Sequence, residues 1–314
     1  MLYYKYSDYL KNKYGEKVYK LPVNLPVTCP NRLDGDGCAF CAGAGTGFEA
    51  MSAAVSVTEQ LTRTRQMITR KYHANKYIAY FQNYTNTFLP PDRFRSYLIE
   101  ATRIPGVVEI SVSTRPDCVS AEYLDIMRDI RAMTGIQMNV ELGLQTANYH
   151  TLQMIDRGHG LAEFIDAVLR IKRYIGISIC THVILNLPGD TAADAKETAR
   201  ILTALGVDIV KLHSLYIARN TRLCDWYENG KITVCSKEEY FERVITFLEQ
   251  IPETVAVERM FSRIPEKDAV FCNWGCSWWR LRDELLQKME EEGRYQGRCC
   301  DYLNGAALCL LKSE

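Results

Sequence analysis

CPNRLDGDGCAFC, residues 29–41, carries three cysteines, Cys29, Cys38 and Cys41, with eight residues between the first pair and two between the second. The run before it, LPVNLPVT at 21–28, is apolar and punctuated by proline, and reads as a strand leaving a sheet. Asp34, Gly35, Asp36 and Gly37 accept turns and positive φ, so this loop can wrap round something compact. Three thiolates on one short loop are metal or cluster ligands. A closed zinc site asks for a fourth protein ligand, whereas a [4Fe-4S] cluster held by three cysteines keeps one iron open, and the loop alone leaves both readings standing.

Working outward, the chain alternates strand-like and helix-like segments. VTEQLTRTRQMITRKYHA is a predicted helix with Thr58 near its start, KYIAYFQ a buried strand, PDRFRSYLIEATR a helix and VVEISVST a strand. AEYLDIMRDIRAM, LAEFIDAVLRIKRYI and AADAKETARILTALG continue the helices, between the strands IQMNVELGLQ, ISICTHVILNL and VDIVKLHSLYI. With the strand feeding the cysteine loop, this pattern predicts an α/β fold: a partial (β/α)6 TIM-type barrel of parallel strands, with function at their C-terminal ends. After residue 218 the pattern changes to a helix over 236–250, a short run VAVERM, the segment FCNWGCSWW and a charged helix, read as an α/β extension. The expected division is an aromatic and basic segment over 1–21, the barrel over 22–218, and an extension over 219–314 closing one side of it.

The chain has 314 residues, 47% of them hydrophobic, which is enough for a large core. No apolar run approaches the ~20 residues needed to span a bilayer. The N-terminus lacks the apolar core of a signal peptide, and the expected location is the cytoplasm. Twelve cysteines in such a chain point to metal or redox chemistry under reducing conditions. Basic and acidic residues balance at 38 each, so no global field announces a nucleic-acid partner. The N-terminal series Tyr3, Tyr4, Lys5, Tyr6, Tyr9, Lys11, Lys13, Tyr14, Lys17, Tyr19 and Lys20 has the makings of a base-stacking surface, or of tyrosines packed on the barrel.

Polar groups fall at the strand ends, where a core strand should not have them. YFQNYTNTF offers Gln82, Tyr84, Thr85 and Asn86; SVSTRPDC offers Ser111, Ser113, Thr114, Arg115 and Asp117; ELGLQT offers Glu141, Gly143 and Gln145. Arginine pairs bidentately with carboxylates, which suits Arg115 to a ligand carrying one. HVILNLPGD closes the next strand, and Lys211 and His213 share one face of the last, with Glu141 a plausible internal partner for Lys211.

The ordered set CPNRxDGxGCxFC, YFQxYTNT, STRPDC, ELGLQT with DRGH, HxILxLPGD and KLHxLYxxxxTxL, followed by RYQG, resembles the Elongator-like radical S-adenosylmethionine (SAM) proteins, in particular the uncharacterised bacterial YhcC/YtqA-type branch. Asn186 and Asn220 stand where that pattern has glycine, and both are residues that tolerate left-handed φ. The resemblance implies a [4Fe-4S] cluster on Cys29, Cys38 and Cys41, its open iron chelated by SAM. It implies reductive cleavage of SAM to methionine and a 5′-deoxyadenosyl radical that abstracts hydrogen. SAM contacts are expected from Phe40, Gln82, Tyr84, Ser111, Ser113, Arg115, Gln145 and His182, and catalytic or substrate contacts from Lys211, His213 and Glu141. A flavodoxin or ferredoxin is the implied electron donor. Relatives of this type act on the wobble uridine of tRNA, which makes tRNA one substrate class. Residues 219–314 lack an acetyl-coenzyme A pyrophosphate loop, so a small-molecule or partner-dependent reaction is the other. A non-catalytic iron–sulfur or zinc protein is the third reading. The remaining nine cysteines, among them Cys272, Cys276, Cys299 and Cys300, are expected as thiols without an auxiliary cluster.

Overall fold

The computed structural model describes residues 1–33, 35–42 and 50–301. Asp34 and the last residues of the 219–314 extension lie outside that range. Among the described residues the strands are β1 Val18–Val23, β2 Lys76–Phe81, β3 Val107–Thr114, β4 Gln137–Gln145, β5 Ile177–Ile184, β6 Ile209–His213, β7 Tyr216–Ala218, β8 Ala256–Val257 and β9 Ala269–Cys272. The helices are α1 Tyr6–Tyr14, α2 Val57–Tyr72, α3 Pro91–Thr102, α4 Ala121–Thr134, α5 Tyr149–Met154, α6 Leu161–Ile171, α7 Ala192–Leu205, α8 Arg222–Glu228, α9 Lys237–Gln250 and α10 Trp278–Glu291. One sheet runs β1-β2-β3-β4-β5-β6-β8. Strands pair in parallel, with Val18 opposite Lys76 between β1 and β2, Ser113 opposite Glu141 between β3 and β4, and Val210 opposite Val257 between β6 and β8. Parallel strands joined through helices make this a partial (β/α) barrel of the α/β class, as expected.

Three details differ from the sequence reading. The strand feeding the cysteine loop, read at 21–28, is β1 at Val18–Val23, and the chain from residue 24 to the first cysteine runs outside the sheet. The sheet has a seventh strand, β8, taken from the VAVERM run assigned to the extension; at two residues it is too short to show a period. VDIVKLHSLYI is two strands: β6 ends at His213, and β7 pairs antiparallel with β9 in a separate sheet. The break is held by side chains, since Ser214 Oγ donates to Asn273 Oδ1 at 2.6 Å and Asn186 Oδ1 accepts from Leu215 N at 2.6 Å.

Helix starts follow ordinary capping chemistry. Ser56 caps α2 by accepting from Glu59 N, Ser236 caps α9 by accepting from Glu239 N, and Thr191 opens α7 with Asp194 in a reciprocal box.

The chain divides into two compact units. One comprises Ser7–Leu144 and Asp156–Thr181; the other comprises Met1–Tyr6, Gln145–Ile155 and His182–Glu314. In the first, β3 and β4 bury Ile110, Val112, Met138, Val140, Leu142 and Leu144 on one face. Their other face carries Glu109, Ser111, Ser113, Asn139 and Glu141, all buried. Strands of a parallel sheet are normally apolar on both faces, so this polar row marks an interior built for something other than packing. Most of its groups are bonded, although Glu109 Oε1 and Asn139 Oδ1 are buried without a hydrogen-bond partner among the described residues. Glu109 accepts from Lys13 Nζ at 2.9 Å and Tyr14 Oη at 2.6 Å, which fastens α1 and burdens the Tyr14 phenol with burial and a neighbouring carboxylate, raising its pKa. Glu141 accepts from Lys20 Nζ at 2.7 Å and Ser111 Oγ at 2.8 Å.

In the second unit the N-terminal segment pairs Lys5 with Val257, and Tyr4 N donates to Gln296 Oε1 at 2.8 Å. Tyr3 and Tyr6 are buried, so of the two uses open to the N-terminal aromatics these rings take packing. No helix among the described residues is long and apolar enough to cross a membrane.

Candidate metal centre and cofactor site

The cysteine loop is shaped by its own backbone and by the DRGH turn, residues 156–159, both in the first unit. Pro30–Arg32 forms a short 3-10 turn closed by Arg32 N donating to Cys29 O at 2.9 Å. Gly37, at φ 80°, returns the chain so that its N–H reaches Asn31 O at 3.0 Å, and Cys41 N then donates to Cys38 O at 2.9 Å. Asn31 Nδ2 donates to Asp156 O at 2.7 Å and lies 3.5 Å from the Cys38 sulfur. Gly158, at φ 73°, lies so close that a Cβ would sit 1.9 Å from Asn31 Oδ1.

Each of the three thiols has its own arginine. Arg115 Nη1 is 3.7 Å from Cys29 Sγ, and Arg157 Nη1 is 3.5 Å from Cys38 Sγ. Arg32 Nη2 donates to the carbonyls of Cys41 and Ala42 at 2.9 and 2.7 Å, and its charge acts on the Cys41 thiol. The Cys41 thiol is pushed up by burial and by Cys38, against the lowering effect of Arg32; Cys29 adds to the rise. All three cysteines are free of disulfides. Guanidinium and amide donors aimed at sulfur suit thiolates, yet burial opposes a bare thiolate at Cys41. Both conditions are met when the thiolates bind a cationic metal core.

The donor set therefore fits a cluster held by Cys29, Cys38 and Cys41. His159 is the imidazole nearest this loop in the DRGH turn, and both its ring nitrogens face carbonyls, Gly143 O at 3.1 Å and Gly160 O at 3.2 Å. A neutral imidazole carries one N–H and so donates to only one of these carbonyls. Burial and then the Arg157 charge hold His159 down to about 4.

The strand-end groups of the first unit are placed as follows. Phe40 is buried beside the last cysteine, and Tyr84 has a left-handed backbone (φ 57°) with the Arg32 guanidinium 5.7 Å from its ring centre. Gln82 N donates to Val23 O at 3.1 Å, continuing the sheet past β2. Ser113 Oγ donates to Tyr80 Oη at 3.2 Å. Ser111 lies deeper, inside the Glu141 network, where Asn139 Nδ2 donates to it at 2.8 Å. Arg115 is clamped by Asp117 at 2.9 and 2.6 Å and donates to Gly158 O at 3.0 Å. The pairing with Asp117 outweighs burial, raising Arg115 and lowering Asp117.

In the second unit Gln145 is left-handed at φ 79°, a strained value for glutamine. His182 and His213 hold their rings 5.2 Å apart, and Arg259 Nη2 is 2.9 Å from His213 Nδ1. Lys211 is buried and pairs with Glu258 at 3.0 Å. Glu258, beside β8, answers its charge within this unit, and Glu141, in the first unit, pairs with Lys20 at 2.7 Å. Asn220 is left-handed at φ 58° as expected, but Asn186 is not; Asn186 serves the chain by accepting the Leu215 N–H.

Sequence reasoning named the ligands but gave no role to Asn31, Arg32, Arg157 or His159, although CPNR and DRGH were both visible as motifs. The signal was there as two arginines in cysteine-linked motifs. Arg157 is tied to its thiol only by a contact across 119 residues, whereas Arg32 lies nine residues from Cys41.

Comparison with known proteins agrees with this geometry. The radical SAM superfamily profile matches residues 23–202, and the Radical_SAM C-terminal domain matches residues 207–291. The chain is similar to the uncharacterized protein YtqA of Bacillus subtilis, 31% identical over 300 residues that cover 94% of this chain and 92% of YtqA. A distant likeness, 24% over 204 residues and 62% of this chain, links it to a tRNA uridine(34) acetyltransferase of Dehalococcoides mccartyi, of which it covers 41%. Among solved structures, the archaeal Methanocaldococcus infernus Elp3 with an N-terminal deletion superposes with a TM-score of 0.67 at 17% identity, over 89% of this chain and 64% of that one. The chain belongs to the radical SAM superfamily.

Proposed function

We propose that this protein is a radical SAM enzyme whose Cys29, Cys38 and Cys41 hold one [4Fe-4S] cluster. The observation that carries this reading is the convergence of three free thiols and three arginines on one short loop. With SAM bound, such a cluster supplies one-electron cleavage of the SAM carbon–sulfur bond, giving methionine and a 5′-deoxyadenosyl radical able to take hydrogen from unactivated carbon.

The chain's own residues bind and orient. Phe40 gives an apolar wall beside Cys41, and Gln82, Tyr84 and Ser113 offer polar contacts for SAM. Arg115 is held rigid by Asp117, which takes its Nε/Nη2 fork, so a ligand carboxylate or ribose would meet only Nη1, the atom nearest Cys29. Ser111 acts through Glu141 rather than from the strand end. The assignments of Gln145 and His182 to SAM, and of Lys211 and His213 to substrate, stand as part of the proposal. A flavodoxin- or ferredoxin-type donor supplies the electron.

For substrate we favour a tRNA, on the likeness to the tRNA uridine(34) acetyltransferase. A small molecule is the second reading. After anaerobic reconstitution, about four irons per chain and release of 5′-deoxyadenosine from SAM are expected, with both lost in Cys38→Ala. Iron retained in full by Cys38→Ala would defeat the ligand assignment. SAM cleavage stimulated by added tRNA supports the RNA substrate, and indifference to tRNA favours the small molecule. A reconstituted cluster without any SAM cleavage would make the protein a non-catalytic iron–sulfur protein.

A further inference from the structure

Arg157 is buried, yet among the described residues it has no carboxylate partner. Its Nη2 donates to Gly143 O at 2.8 Å, its Nη1 reaches the Cys38 sulfur at 3.5 Å, and its Nε is buried without a partner. Burying an unpaired guanidinium is costly unless negative charge develops beside it. Arg32 is half-buried and similarly lacks a carboxylate: it donates to two carbonyls, faces the Tyr84 ring and has a buried, unpartnered Nε among the described residues. Arg115 differs, because Asp117 already answers its charge. Among the described residues around the cysteine loop there are thus two cations without a carboxylate partner, buried Arg157 beside Cys38 and half-buried Arg32 beside Cys41.

A cluster with three thiolate ligands carries net charge −1 when its core is 2+ and −2 when its core is 1+. Gaining one electron therefore adds one negative charge where Arg157 and Arg32 sit. Fixed cations and N–H donors to ligand sulfur favour the more negative form and raise the reduction potential.

We infer that Arg157, with Arg32, is a positioning residue that sets the reduction potential of the cluster, Arg157 acting through its contact with the Cys38 sulfur. The assignment rests on the cluster reading above. It gives the DRGH arginine a purpose separate from SAM and substrate contact. Asn31, the neutral second donor to the same sulfur, acts in the same direction with less effect.

The experiment is a redox titration of the full, reconstituted chain with dithionite in the absence of SAM, followed by electron paramagnetic resonance of the reduced cluster, with iron counted per chain. Arg157→Gln should keep its iron and become harder to reduce, its equilibrium constant for reduction falling about tenfold, equivalent to about 59 mV for one electron. Arg157→Lys keeps the charge and should fall between Gln and wild type. If Arg157→Gln does not hold its cluster, Asn31→Leu tests the same sulfur and should shift the same way by less. An unchanged potential in an iron-replete variant overturns the inference while leaving the cluster assignment standing. Failure of the wild-type chain to bind iron defeats both.

Discussion

Gly158 shows how closely single residues govern the site. Its φ of 73° is open to alanine only at a cost, and its Cβ would collide with Asn31, which also holds Asp156 O and touches Cys38. Gly135 has the same φ of 73° with nothing within 4 Å of a Cβ. Gly135→Ala should therefore cost only the left-handed penalty, about 1–2 kcal/mol. Gly158→Ala adds lost Asn31 hydrogen bonds, for a total of about 3–5 kcal/mol. Urea melts of the two variants, with iron counted after reconstitution, check this: Gly158→Ala should also bind less iron. Equal losses in both would mean that Asn31 moves aside without consequence. The cysteines could be read from spacing because ligand chemistry limits which residues can be ligands. Arg157 could not be given its role so directly, since an arginine serves many purposes and only the fold brings residue 157 to residue 38.

At the scale of elements, helices and long strands were legible because their periods repeat over many residues. The two-residue β8 was not, and neither was the break between β6 and β7, which depends on Asn186 and Asn273 side chains from elsewhere in the chain. The RYQG motif, visible in the sequence without a role, is a clamp. Gln296 accepts from Tyr4 N and donates to Pro252 O at 2.6 Å and Val255 O at 2.8 Å, so one buried amide joins the N-terminal strand segment to the end of α9 and the turn before β8. Arg294 binds Glu242 and Glu249 beside it. Gln296→Ala strands three backbone groups and should cost about 2–4 kcal/mol of stability. Because Tyr4 is released, proteolysis at the N-terminus should rise with it. A loss in melting stability without earlier N-terminal cleavage would separate the amide from that role.

For the molecule as a whole, 38 basic and 38 acidic residues leave no net charge to drive a pH response, so the response falls to a few buried groups. Asp190, in the turn after β5, is buried and accepts from Thr151 Oγ1 at 2.6 Å. Burial raises its pKa from 3.8 to about 6, against the lowering effect of the Thr151 and Thr146 hydroxyls. Between those two values the folded chain holds this proton and the unfolded chain does not, so the Asp190 contribution to stability falls as pH rises from about 4 to 6. A shift of about two units corresponds to about 3 kcal/mol. His159 runs the other way. Its pKa is depressed from 6.5 to about 4 by burial and Arg157, so its contribution is fully present above 6.5 and is lost as pH falls towards 4. The two nearly cancel across pH 4–6, and the wild-type curve should be almost level there. Asp190→Asn keeps a neutral acceptor for Thr151 and removes only the first term, leaving His159 to dominate. Urea midpoints on metal-free protein, which keep acid loss of iron out of the comparison, should then climb with pH in Asp190→Asn and stay flat in wild type. Parallel curves for the two proteins would mean that Asp190 is ionised in the fold throughout, and that its burial is answered by a cation or water rather than by its own proton.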